Sequence, residues 1–168
     1  MNQKQIKFRK QITNKWLFKL FLLQKMPIAL LAGLQVQELN ENKSVVSVPF
    51  KWFSQNPFKS VYFATQAMAA EMSTGVLGMM AIQGDVKISM LVLGLEATFI
   101  KKADSRIYFT CENGIDIFTA VQNAIATGEG TTIKCKSTGR LKDGTEVSNF
   151  FVTWSFKVKS SRPLATSY

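Results

Sequence analysis

The sequence predicts an α+β domain in which a curved antiparallel sheet wraps around one long helix. Three observations carry that prediction. First, the stretch NPFKSVYFATQAMAAEMSTGVLGMM, residues 56–80, runs about 20 residues past Pro57 with no further proline and is apolar on nearly all sides. A helix of that kind must be covered on nearly all sides. Its small residues Ala64, Ala67, Ala69, Ala70, Ser73, Gly75 and Gly78 allow another backbone to approach closely. Second, the segments before and after it alternate apolar and polar residues with a period of two, the mark of strands with one covered face. Third, the later strands follow one another directly, which excludes a doubly wound parallel sheet.

The elements follow in chain order. Residues 4–25, KQIKFRKQITNKWLFKLFLLQK, space Ile6, Phe8, Ile12, Trp16, Leu20 and Leu23 at helical intervals with lysines between them. Lys15 and Lys19 interrupt the apolar run and no small-residue cleavage site follows, so the stretch does not read as a signal peptide. It is too charged to span a bilayer. Two readings stay open: an amphipathic helix packed on the domain, or a basic helix lying on an anionic membrane surface. A short helical piece runs on to Gly33, broken or started by Pro27. LQVQELN and SVVSVPFKWF alternate around NENK as an antiparallel hairpin. After the long helix, VKISMLVLGLEATFI is a long strand, KKADS a turn and RIYFTCE the next strand. GIDIFTAVQNAIATGEG has helical spacing at Ile117, Val121 and Ile125 and stops at glycine. TTIKCKSTGRL and EVSNFFVTWSFKVK close the fold as strands joined by KDGT, whose Asp143-Gly144 favours a hairpin. The expected organisation is a helical extension over 1–33, one domain over 34–158 and a loose tail over 159–168.

Charge and composition narrow the function. The 168 residues carry a net charge of +10, but residues 1–26 alone hold seven basic side chains (Lys4, Lys7, Arg9, Lys10, Lys15, Lys19, Lys25) and no acid. Lys157, Lys159 and Arg162 add three at the other end, and residues 27–156 balance eleven basic against eleven acidic residues. A nucleic-acid reader more often concentrates cations on the folded face, so nucleic acid is not an expected partner. The chain has no histidine, which excludes Ser-His-Asp and Cys-His catalysis and argues against a catalytic zinc; no metal is expected. Cys111 and Cys135 are too few for a disulfide framework and read as plain thiols in a reducing, cytoplasmic compartment.

Glu71 is the one acid between Glu41 and Asp85, and it stands in the stretch best suited to burial. The segment around it resembles the hotdog fold, and in detail the phenylacetate-pathway type of acyl-CoA thioesterase and its uncharacterised bacterial relatives. In that family an asparagine begins a loop, a histidine and two glycines open the central helix, an acid follows along it, and a serine or threonine sits on the next strand. Here Asn56 takes the asparagine position, Tyr62 stands for the histidine and Phe63-Ala64 for the glycines. Glu71 falls at the acid position and Ser89, in KISML, at the hydroxyl position.

The resemblance, over residues 34–158, implies hydrolysis of an acyl-CoA or related acyl carrier thioester at a site shared by two protomers. Helix-start N–H groups of Phe63 or Ala64 would stabilise the oxyanion. Glu71 would act as general base, or as a nucleophile forming an anhydride, with its pKa raised by partial burial against Met68 and Met72. Asn56 would orient the water or the carbonyl, and Ser89 or Tyr62 would hold Glu71. Lys101, Lys102 and Arg106 would meet the phosphates of coenzyme A, which enters as part of the substrate rather than as a cofactor. A homodimer or dimer of dimers follows. The other hotdog reading is a non-catalytic module binding acyl thioesters or lipids, at a membrane through residues 4–25, and the loss of the His-Gly-Gly signature favours it.

Overall fold

Asn14 divides the N-terminal amphipathic stretch in two. In the computed structural model, which describes residues Met1–Lys159, the single helix expected over 4–25 is α1 (Gln3–Thr13) followed by α2 (Lys15–Lys25). The Asn14 side chain accepts hydrogen bonds from the amides of Trp16 and Leu17 at 3.0 and 3.1 Å, so it caps a new helix instead of continuing the old one. α3 (Pro27–Ala32) starts at Pro27, where a missing N–H costs nothing, and ends at Gly33 with φ 81°. The expected tail over 159–168 lies, apart from Lys159, outside the described residues.

β1 (Gln35–Leu39) and β2 (Ser44–Val48) form the expected hairpin, its turn closed by Asn40, whose side chain accepts from the amides of Asn42 and Lys43. A short 3-10 turn at Trp52–Ser54 leads to the long helix α4 (Phe63–Ala81). The remaining elements are β3 (Ile88–Phe99), β4 (Ile107–Cys111), α5 (Gly114–Thr127), β5 (Thr131–Arg140) and β6 (Glu146–Val158). Among the described residues the six strands make one sheet in the order β1-β2-β4-β5-β6-β3, and every neighbouring pair is antiparallel. The α+β expectation of a sheet wrapped around a central helix holds.

α4 is sheathed as its composition demands. Ala69, Ala70, Val76, Leu77 and Met80 are buried with Val46 and Val48 of β2, Phe109 of β4 and Phe150, Val152 and Phe156 of β6. Polar pegs fix its depth. Ser73 Oγ meets Ser137 Oγ at 2.8 Å, the Ser44 hydroxyl donates to the Ser73 carbonyl, and Gln66 donates to the Val61 carbonyl while accepting from Ser148 Oγ. Each peg is buried and partnered, so removing one partner costs about 1–3 kcal/mol. α1 clamps the far end of α4: Asn2 donates to the Gln83 carbonyl at 2.7 Å and Lys4 pairs with Asp85 at 2.6 Å.

α5 packs beside α4 against β5 and β6, burying Ile117, Val121 and Ala124. It meets the β1–β2 turn at Gly114, where a Cβ would fall 2.1 Å from the Glu41 carbonyl oxygen; only glycine fits there. Cys111 and Cys135 are buried free thiols.

Candidate active site

The site begins with the turn of α4 that carries Glu71. The side chain is half-buried in a cleft of about 430 Å3 lined by Met26, Met72, Met79, Met90 and Trp154, with Ser89 and Lys159 at its rim. Burial raises the Glu71 pKa above the ordinary carboxylate value, and among the described residues no cation pairs with it to oppose that shift. A lone carboxylate on an apolar wall, open to solvent along one side, is a group chemically able to accept a proton.

The wall behind Glu71 is built by two residues that sequence reasoning passed over. Trp154 Nε1 donates to Thr74 Oγ1 at 2.8 Å, and Thr74 Oγ1 donates to the Glu71 carbonyl at 2.8 Å. The chain Trp154–Thr74–Glu71 ties this helix turn to β6. Gly75 leaves the room: a Cβ there would lie 3.3 Å from the Trp154 ring and 3.4 Å from Glu71 Oε1. Trp154 shares the buried face of β6 with Val152 and Phe156, and nothing in the sequence singles it out from core filler. Of the methionines on α4, Met72 and Met79 line the cleft, whereas Met80 lies in the core.

Ser89 borders the same cleft but does not hold Glu71. Its hydroxyl donates to the Lys157 carbonyl at 3.1 Å. Strand parity is the reason: Ile88 and Met90 turn towards α4, so the residue between them turns away. Tyr62 does not hold Glu71 within one chain either. It is the N-cap residue of α4, nine positions before Glu71, which is about 13 Å along the helix axis.

The helix entrance is a second, separate cluster. Thr65 and Gln66 donate their amides to the Tyr62 carbonyl, while the amides of Phe63 and Ala64 meet no protein acceptor among the described residues. They are the free donors that the first turn must leave. The Tyr62 and Phe63 rings cross edge to face at 4.7 Å, both exposed, beside those donors.

Asn56 builds the loop that presents this entrance. Its side-chain oxygen accepts from the Phe58 amide, the Ser60 amide and the Ser60 hydroxyl at 3.0–3.2 Å. These bonds hold Lys59 at φ 54°, a left-handed conformation that a lysine rarely adopts. The Asn56 oxygen is therefore committed to the loop, so any contact with substrate falls to its amide group. The Ala103 carbonyl accepts from the Val61 amide at 2.7 Å and so brings the exposed Lys101-Lys102 turn to the same entrance. Arg106 is held back by a 3.3 Å hydrogen bond to Ser47 on β2.

Within one protomer, then, Asn56, Tyr62, Phe63, Ala64, Lys101 and Lys102 gather at one end of α4, and Glu71 and Ser89 border a cleft about two turns further on. Phe63 and Glu71 are eight positions, about 12 Å, apart along the axis. A general base must lie within hydrogen-bond reach of the attacking water, so one chain alone does not assemble both halves.

Comparison with known proteins places this architecture. A family described as a domain of unknown function (DUF4442) matches residues 14–156. No curated protein matches the chain. Among solved structures, a protein of unknown function from Chlorobaculum tepidum is 13% identical with a TM-score of 0.73, covering 89% of this chain and 99% of its own. A mutant thioesterase from Pseudomonas aeruginosa is 18% identical with a TM-score of 0.63, covering 84% and 94%. A thioesterase from Haemophilus influenzae is 11% identical with a TM-score of 0.58, covering 85% and 92%. At these identities the likeness is one of fold. The chain belongs to the DUF4442 family and carries the hotdog fold of the thioesterases it resembles.

Proposed function

We propose that this protein hydrolyses acyl thioesters, with coenzyme A or a related acyl carrier as the leaving thiol, in a homodimer whose two protomers complete each site. The observation that carries the reading is Glu71: a carboxylate of raised pKa, with no salt-bridge partner among the described residues, in an apolar cleft of acyl-chain dimensions. The solved thioesterases of the same fold support it.

The chemistry needs few parts. A water at the Glu71 carboxylate loses its proton to that base as its oxygen attacks the thioester carbonyl carbon. The developing oxyanion is met by the Phe63 and Ala64 amides of the partner's helix, aided by the positive end of its dipole. Collapse breaks the C–S bond, and the thiolate takes up the proton from Glu71. Lys101 and Lys102, at the same helix entrance, face the phosphates of the leaving group. Direct attack by Glu71, through an anhydride, uses the same geometry with water arriving in a second step.

β3 supports the dimer. It is twelve residues long and lies at an edge of the sheet. Its outward residues Leu91 and Leu93 are 63% and 56% exposed, an apolar edge of the kind that proteins seldom leave open. After the bulge at Val92–Gly94, Leu95 and Phe99 are exposed too, opposite Val152 and Ser148 of β6. Pairing two β3 edges about a two-fold axis would extend the sheet and set one protomer's helix entrance over the other's cleft.

The test is release of free thiol from short, medium and long acyl-CoAs by the purified protein. Turnover that disappears in Glu71→Ala, with the fold retained by circular dichroism, supports the hydrolase. A second reading, a non-catalytic acyl-thioester binder, is favoured by the exposed Phe63 ring beside the oxyanion donors. Saturable acyl-CoA binding without thiol release across the panel would establish it instead.

A further inference from the structure

α2 is apolar on two opposite faces, and the fold uses one of them. Phe18 and Leu22 are buried against the domain. At 100° per residue, Leu23, Trp16, Leu20 and Leu17 sweep an arc of about 120° on the other side. They are 59%, 76%, 56% and 45% exposed. The apolar surface continues on α3 with Ile28 and Leu31, and on the 3-10 turn against it with Trp52 and Phe53. Lys19 borders the arc on one side with Lys15 beyond it, and Lys19 Nζ is 5.1 Å from the Trp16 ring centroid. The Lys51 side chain lies against Gly33 at the end of α3. No acid occurs in residues 1–37 or 42–70, which contain every element of this surface.

We propose that the α2–α3 layer docks on an anionic phospholipid bilayer, with the Leu/Trp arc in the interface and the lysines on the headgroups. Three features select this occupant. Leucine and tryptophan interleaved with lysine, and no acid, match an interfacial helix lying in a negatively charged surface. A second copy is disfavoured, because this face carries lysines and no acid, so pairing it with itself would bring only like charges together. Among the described residues no helix is long and apolar enough to cross a membrane, so the helix lies along the surface. The layer also opens on the cleft: Met26, between α2 and α3, is one of its lining residues. A chain leaving the bilayer beside Leu23 would meet Met26 and then the Glu71 wall. Docking itself does not depend on hydrolysis.

The experiment is co-sedimentation of the full chain with vesicles of phosphatidylcholine alone and of phosphatidylcholine mixed with phosphatidylglycerol. Retention on the anionic vesicles alone is expected, weakening as salt rises. Lys15→Ala with Lys19→Ala should weaken it about fivefold per lysine. Leu20→Glu with Leu23→Glu should abolish it, while leaving the melting temperature and thiol release from a short, soluble acyl-CoA unchanged, because both side chains face solvent. No retention of the unaltered protein, or full retention of the leucine variant, would overturn the proposal. So would a fall in oligomeric state of the leucine variant by light scattering, which would mean that a second copy covers the face. Loss of thiol release with docking intact would count against the hydrolase alone.

Discussion

Replacing Glu71 by glutamine should separate activity from stability in opposite directions. The carboxylate is half-buried among Met72, Met79 and Trp154, and desolvation raises its pKa above the ordinary value of 4.5. The folded protein thus holds this proton more tightly than the unfolded chain does. Below pH 4.5 both states are protonated and the residue costs nothing. As pH rises, the unfolded chain ionises first and stability falls, until the folded carboxylate ionises too and the loss becomes constant. Glutamine carries no such charge, so Glu71→Gln should match the parent near pH 4 and exceed it in denaturant midpoint at pH 7. Catalysis should fall the other way. Loss of a positioned general base removes about 10²–10⁴ in kcat/KM, or about 3–5 kcal/mol of barrier. The parent's kcat/KM should also rise with pH along a limb set above 4.5, because only the ionised form accepts the proton. Urea titrations at the two pH values and thiol release over the range measure both. Turnover unchanged by the substitution, or a variant less stable than the parent at pH 7, would refute the reasoning: the first removes the base, the second means that the charge has a partner.

Three further outcomes follow from the same geometry. Leu93→Asp places a charge on the exposed β3 edge; light scattering should show a dimer becoming a monomer, with thiol release lost because the donors come from the partner. Lys101→Ala and Lys102→Ala should each raise KM for acyl-CoA about two- to fivefold with kcat unchanged, an effect that fades in high salt. Trp154→Phe removes the donor to Thr74 Oγ1 and should lower stability by about 1 kcal/mol in urea titration while loosening the turn that carries Glu71.

What could be read from the sequence was whatever depends on near neighbours in the chain. Alternation marked the strands, the prolines and glycines marked the ends of α3 and α5, and Asp143-Gly144 closed the β5–β6 turn with Gly144 at φ 89°. The apolar girth of α4 required a wrapping sheet. The break at Asn14 is not legible in the periodicity, because a side chain that caps competes with apolar spacing only through local hydrogen bonds, which the positions of Trp16 and Leu20 do not reveal. The motif position of Ser89 points to Glu71, but its direction is set by the register of β3 on β6. Trp154 and Thr74 meet across 80 residues, and neither is unusual in its own segment. Asn56 fits both a catalytic motif and an ordinary turn, and only its three acceptor bonds show how far the loop depends on it.

Mixed dimers test the central claim, a site shared between protomers, most directly. Ala64→Pro deletes one candidate oxyanion donor within the first helical turn, where proline is tolerated. Glu71→Gln deletes the base, and each variant alone should lose about 10²-fold or more of the activity. Mixed in equal amounts and allowed to re-pair, half the dimers carry both chains, and each of those has one intact site out of two. The account predicts recovery of about a quarter of the parent activity per chain. No recovery, with re-pairing confirmed by native mass spectrometry, would contradict it.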